Sequence, residues 1–116
     1  MGKQKISDRV AEFVLTRKND ELALLKVSII ADTFGVNPSY LSRTFKADKD
    51  ITLNEFIIGQ KMFRSAQMLK KNRNLTMEDL AAIAGFSRAD YFITLFRDYF
   101  GIHPQKFKKT RRSRHS

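Results

Sequence analysis

One short pattern occurs twice in this chain, and it limits the possible folds more than any other feature. Ile30-Ala31, three residues, then Gly35-Val36 returns as Leu80-Ala81, three residues, then Gly85-Phe86. Just downstream, Tyr40-Leu41-x-x-x-Phe45-Lys46 returns as Tyr91-Phe92-x-x-x-Phe96-Arg97. The first echo is offset by 50 residues and the second by 51, so the second copy has one extra residue in its turn. A small residue inside one helix lets another helix approach closely. Glycine four positions later takes the positive φ that a tight turn needs, and the apolar pair that follows faces inward from the second helix. Each copy therefore reads as a helix-turn-helix. The repeat is too short for a solenoid and describes one supersecondary unit present twice.

The rest of the chain supports an all-α fold. Apolar residues recur at three- and four-residue spacing, and no stretch alternates as a strand would. Helix starts are marked by Ser7, by Asn37 before Pro38, by Thr52 with Glu55, by Thr76 with Asp79, by Ser87 with Asp90, and by His103-Pro104. Turn signals fall at Asn19-Asp20, Gly35, Asn72 to Asn74, Gly85 and Gly101. About seven helices are predicted: 7–17, 26–34, 38–47, 52–71, 77–84, 88–100 and 104–111. The expected organisation is a helix-turn-helix subdomain over 1–51, a linker helix over 52–71, a second helix-turn-helix subdomain over 72–111, and a basic disordered tail over 112–116. The ten Phe, with Met62 and Met68, are expected in the core rather than stacked on bases. The linker carries Leu53, Phe56, Ile57, Gln60, Phe63, Ala66 and Leu69 down one side. Its length of roughly 30 Å is close to the repeat of about 34 to 36 Å between major-groove faces of B-DNA. That match favours duplex DNA over RNA, whose deep A-form groove excludes side chains.

Charge points the same way without deciding it. The net charge is +10, from 22 Lys and Arg against 12 Asp and Glu. Six of the basic residues (Lys106, Lys108, Lys109, Arg111, Arg112 and Arg114) follow Pro104, where there are no acids. Such a surface attracts polyanions, and a solvated tail that only aids solubility is the alternative. With two His, no Cys, no glycine-rich phosphate loop and no clustered carboxylates, neither a catalytic nor a metal constellation can be assembled. No enzyme activity, cofactor or metal is expected. No apolar run approaches the roughly 18 to 20 residues of a membrane span, and Met1 to Lys5 has no signal-peptide character. A cytoplasmic protein without a membrane partner is expected. A helical module binding RNA or another protein is the rival reading.

The most specific stretch is Lys61-Met62-x-x-Ser65 … Leu69 … Met77-x-x-Leu80-Ala81-x-x-x-Gly85-Phe86-Ser87 … Tyr91-Phe92-x-x-x-Phe96-Arg97-x-x-Phe100-Gly101-Ile102-x-Pro104. With Asn37-Pro38-Ser39-Tyr40-Leu41-Ser42-Arg43-x-Phe45-Lys46, it closely resembles the C-terminal DNA-binding domain of AraC/XylS-type transcription regulators, over about residues 7 to 110. The resemblance implies a seven-helix fold, asymmetric or repeated DNA sites, and activation through contact with RNA polymerase. Three positions depart from the family. Asp50 stands where Gly is usual, His103 where Ser or Thr precedes the proline, and Ile93 and Thr94 where many members place polar base readers.

The expected function is that of a sequence-specific, double-stranded DNA-binding regulator, an activator, with two recognition helices in adjacent major grooves. Leu41 and Phe45 face inward from the first, leaving Ser39, Tyr40, Ser42, Arg43 and Lys46 outward. Arg43 is the foremost base reader, because a guanidinium can bond guanine O6 and N7 together; Ser39 and Ser42 are smaller readers. In the second, Arg88, Ala89 and Thr94 are candidate readers, with Arg88 also able to hold only a phosphate, and Asp90 is outward too. Asn37, Tyr40, Lys46, Thr76, Ser87 and Arg97 are candidate phosphate contacts, with core packing the alternative for Tyr40. No small-molecule ligand is expected in this domain, and the chain should be monomeric unless an N-terminal domain dimerises it.

Overall fold

The computed structural model describes residues 4–113, with side chains through Lys108. Eight helices and no strand are found among the described residues: α1 (Ile6–Leu15), α2 (Asn19–Ala23), α3 (Val27–Phe34), α4 (Pro38–Lys49), α5 (Leu53–Lys71), α6 (Met77–Ile83), α7 (Ala89–Phe100) and α8 (Pro104–Ser113). The chain divides into two compact units, Met1–Gln60 and Lys61–Ser116, and α5 carries the boundary.

The first unit is packed around Val10 and Val14 of α1, Leu22 of α2, Ile30 and Ala31 of α3, Leu41 and Phe45 of α4, and Leu53 and Ile57 of α5, all buried. Each large member contributes about 1.5–3 kcal/mol by leaving water. The short α2 is the eighth helix, where a turn is expected at Asn19-Asp20. Glu21 accepts the backbone N–H of Lys18 at 2.9 Å, and Asp20 accepts that of Glu21 at 2.9 Å. Carboxylates in a first turn satisfy open N–H groups as readily as they close a turn.

Ser7 does not cap α1. The cap is Lys5, and Ser7 lies buried inside the helix, donating its hydroxyl to Asp48 of α4. Beside it, Lys49 is ion-paired with Asp8. These two ties fasten the C-terminal end of α4 to α1.

In the second unit, Met62, Ala66 and Leu69 of α5 pack with Met77, Leu80 and Ala81 of α6 and Phe92 and Phe96 of α7 as buried apolar residues. Phe96 is the hub. Its ring centroid lies 5.9 Å from Phe92, 4.6 Å from Phe100 and 5.6 Å from Phe107. The last helix starts as expected, with His103 Nδ1 accepting the N–H of Gln105 at 3.0 Å. It runs to Ser113, past the expected end at 111, and residues 114–116 of the predicted tail lie outside the described residues.

The single apolar stripe expected on α5 is not what the helix buries. Leu53 and Ile57 are buried four residues apart, but the next buried positions are Met62, Ser65, Ala66 and Leu69. The step from Ile57 to Met62 is five residues, so the stripe changes phase close to the boundary between units. Phe63, expected inward, is 53% exposed.

Candidate nucleic-acid interface

Each unit contains one helix-turn-helix, and both turns close in the same way. In the first, Val36 N–H reaches the Ala31 carbonyl at 3.0 Å and Gly35 N–H reaches Asp32 at 3.1 Å. In the second, Phe86 N–H reaches Ala81 at 2.8 Å and Gly85 N–H reaches Ala82 at 3.0 Å. This crossed pair satisfies the last carbonyls of a helix and requires a left-handed residue at its end. Gly35 has φ 68° and Gly85 φ 92°. The first copy then enters α4 at once, with Asn37 as its cap. Its side-chain oxygen accepts Ser39 N–H at 2.8 Å and Tyr40 N–H at 3.3 Å, and Pro38 follows in the first turn.

The second copy spends its extra residue here. Ser87, expected to cap α7, stays outside the helix, and Arg88 takes the cap position without a side-chain cap bond. Asp90 supplies the missing acceptor, taking the N–H of Tyr91 at 2.9 Å. Aligned by 51 residues, Arg88 stands where Asn37 stands, Thr94 where Arg43 stands, and Gly101 where Asp50 stands. The last pair explains one departure from the family pattern. Both residues end their helices left-handed, Asp50 at φ 67° and Gly101 at φ 69°. Asp is among the few side chains that tolerate this region, so the turn after α4 keeps its shape.

On α4, Ser39, Tyr40, Arg43 and Lys46 are exposed opposite the buried Leu41 and Phe45. Ser42 is half-buried, not outward. Tyr40 is 46% exposed. Lys46 Nζ donates to the Asp50 carbonyl at 3.1 Å, so the residue expected to hold a phosphate also caps its own helix. Arg43 has no acidic partner among the described residues.

On α7, Thr94 and Arg97 are exposed, and with Asp98 and Gly101 they line a polar hollow. Thr94 donates its hydroxyl back to the Asp90 carbonyl at 3.0 Å. Ala89 is half-buried rather than outward. Arg88 and Asp90 form a side-on pair, Nε to Oδ1 at 3.0 Å and Nη2 to Oδ2. The hydrogen bond from Arg88 holds the Asp90 carboxyl below the usual carboxylate range, and the same bond raises the Arg88 guanidinium. Tyr91, at the position matching Tyr40, is 52% exposed with its ring 5.9 Å from Phe86. The repeat itself carried that signal, since Tyr40 and Tyr91 are 51 residues apart.

Two further phosphate candidates are Thr76 and Ser87. Thr76 offers no open N–H to a phosphate: Asp79 Oδ2 accepts it at 3.3 Å, while Thr76 Oγ1 accepts Asp79 N–H at 2.9 Å. Ser87, outside the helix, leads no row of first-turn N–H groups. The residues that sequence reasoning missed are those holding α4 in place, Ser7, Asp8, Asp48 and Lys49. The Lys49 ammonium, bonded to Asp8, holds its carboxyl below the usual range. No helix among the described residues is long and apolar enough to cross a membrane.

The model of a family described as a helix-turn-helix domain matches residues 30–110. The Msm operon regulatory protein of Streptococcus mutans is 34% identical over 85 residues, covering 73% of this chain and 30% of that protein. The chain thus spans less than a third of that relative's length. The solved C-terminal domain of AraT, a response regulator from Geobacillus stearothermophilus, superposes with a TM-score of 0.79 at 23% identity, over 92% of this chain and 86% of that one. The DNA-binding domain of AdpA, a global transcriptional factor solved in complex with a target DNA, gives a TM-score of 0.76 at 18% identity, over 96% of both chains. Two matching helix-turn-helix units, closed by the same crossed hydrogen bonds, together with a family match over more than two thirds of the sequence, place this chain in the AraC/XylS-type family of helix-turn-helix transcription regulators.

Proposed function

We propose that this chain binds double-stranded DNA in a sequence-specific manner and regulates transcription as an activator, with α4 and α7 entering successive major grooves. The observation that carries this reading is the repeated helix-turn-helix, each copy presenting a polar, exposed face on its second helix. Its net charge of +10 suits a polyanion, and the AdpA relative in fold is described with a target DNA bound. Ser39 and Arg43 are the base readers of α4, with Arg43 foremost. Thr94 and Arg88 face the duplex from α7. Asn37, Tyr40, Lys46 and Arg97 lie where phosphates would pass. RNA polymerase is the protein partner that activation requires, and the domain works as a monomer unless a further domain joins it to a second copy.

Selection from a pool of random duplexes, followed by titration of the selected and a scrambled duplex at several salt concentrations, tests this. A steep salt slope with marked preference for the selected duplex is expected. Equal binding of the scrambled duplex, or preference for RNA, would overturn it. Arg43→Ala should remove discrimination at one base position, about 1–3 kcal/mol. Arg97→Ala should weaken all duplexes alike and lower the salt slope by about one.

A further inference from the structure

The extra residue in the second turn has a chemical consequence. It puts an arginine at the entrance of α7, where α4 has a capping asparagine, and that arginine is already gripped. Resting on the DNA-reading function proposed above, we propose that Asp90 is a positioning residue that aims the free edge of Arg88 at one guanine, giving α7 a base reader at its N-terminus in place of the mid-helix arginine of α4.

The geometry is specific. Asp90 engages Arg88 side-on, through Nε and Nη2. A guanidinium has five N–H donors, and this arrangement occupies two. The end-on edge, with Nη1 and the second hydrogen of Nη2, stays open and keeps the two-donor spacing that matches guanine O6 and N7. The carboxylate that holds the arginine is itself held, because Asp90 Oδ1 also accepts Tyr91 N–H at 2.9 Å within the first turn of α7. The pair is exposed, with side-chain accessibilities of 74% for Arg88 and 68% for Asp90, so a base edge has access to it. Arg88 thus has its direction fixed before binding, which reduces the ordering it must undergo on contact. An ion pair that merely cancelled charge would need no such backbone anchor.

The 116-residue chain and a random duplex pool provide the test. The duplex selected by the unaltered chain is changed one base pair at a time, and each change is titrated against the unaltered chain, Arg88→Lys and Asp90→Asn. Arg88→Lys keeps the charge and loses the fork. Asp90→Asn keeps an oxygen for Tyr91 N–H and loses the grip on arginine. Both variants should lose about tenfold discrimination or more at the same single G·C pair. Affinity for scrambled duplex should rise for Asp90→Asn, because a negative charge is gone. Unchanged helical circular dichroism in both variants excludes loss of folding as the cause.

If Asp90→Asn tightens selected and scrambled duplexes equally, with discrimination intact at every position, Asp90 only tempers charge and the inference is wrong. If the two variants lose discrimination at different positions, it is also wrong. If the unaltered chain selects no sequence at all, the proposed DNA-reading function fails and takes the inference with it.

Discussion

The two units share a frame and differ in how they would approach DNA. Met1–Gln60 holds nine Lys and Arg against eight Asp and Glu, a net of +1, whereas Lys61–Ser116 holds thirteen against four, a net of +9. Their second helices differ in the same sense. α4 carries in its middle an arginine with no acidic partner among the described residues, Arg43, on a nearly neutral unit. α7 has Thr94 at that position and an acid-paired arginine, Arg88, at its entrance, on a strongly basic unit. Long-range attraction scales with charge and carries little sequence information, while base discrimination depends on a few well-placed donors. One supersecondary frame can therefore carry a base-reading arginine in both copies while concentrating the long-range attraction in one.

The largest effects should show whether the two copies stand on separate cores. Phe45 and Phe96 are each fully buried and occupy matching places in α4 and α7. Phe45→Ala and Phe96→Ala should each cost about 3–5 kcal/mol. Amide hydrogen exchange should locate the loss in the unit that was altered. Protection lost equally in both units by either variant would show one shared core. A smaller effect is expected at the helix ends. Asp50→Gly should stabilise the first unit by about 1 kcal/mol, because the left-handed conformation that Gly101 adopts freely is costly for Asp. Urea denaturation measures this, and a loss of stability would mean that the Asp50 side chain contributes something its backbone does not.

The smallest effect concerns pH. The Asp8 carboxyl is depressed by its hydrogen bond to Lys49, so its contribution is present above the ordinary carboxylate pKa and is lost as pH falls through the lower folded value. Asp8→Asn should flatten the acid limb of the first unit's stability curve and leave the second unit's unchanged. An unaltered acid limb would show that the pair contributes nothing.

Much of this was legible from local chemistry. The two Ala-to-Gly spacings, the Asn37-Pro38 entrance, the Thr52–Glu55 and Thr76–Asp79 boxes and the His103 cap each depend on residues within a few positions of one another, where sequence carries the physics directly. The misreadings have other causes. Ser7 and Ser87 are good capping residues, but a carboxylate 41 residues away claims the first and an inserted residue displaces the second. α2 is a helix of five residues that looks like a turn at Asn19-Asp20, since the same side chains serve both. Phe63 was drawn inward by a periodicity that assumes one phase along the whole of α5. The candidate contacts were legible as a face and less so as individuals. Neighbouring packing, which decides that Ser42 and Ala89 are half-covered, is not written in a helical wheel.

The crossed hydrogen bonds that end α3 and α6 carry a consequence for how such a domain can change. In the second copy both are complete by Phe86, one residue before the insertion point. A residue added at 87 or 88 therefore alters which side chain guards the doorway of the following helix without unfastening the hinge behind it. Engineers seeking new DNA targets could lengthen or shorten the chain there, and leave the phenylalanine interior untouched.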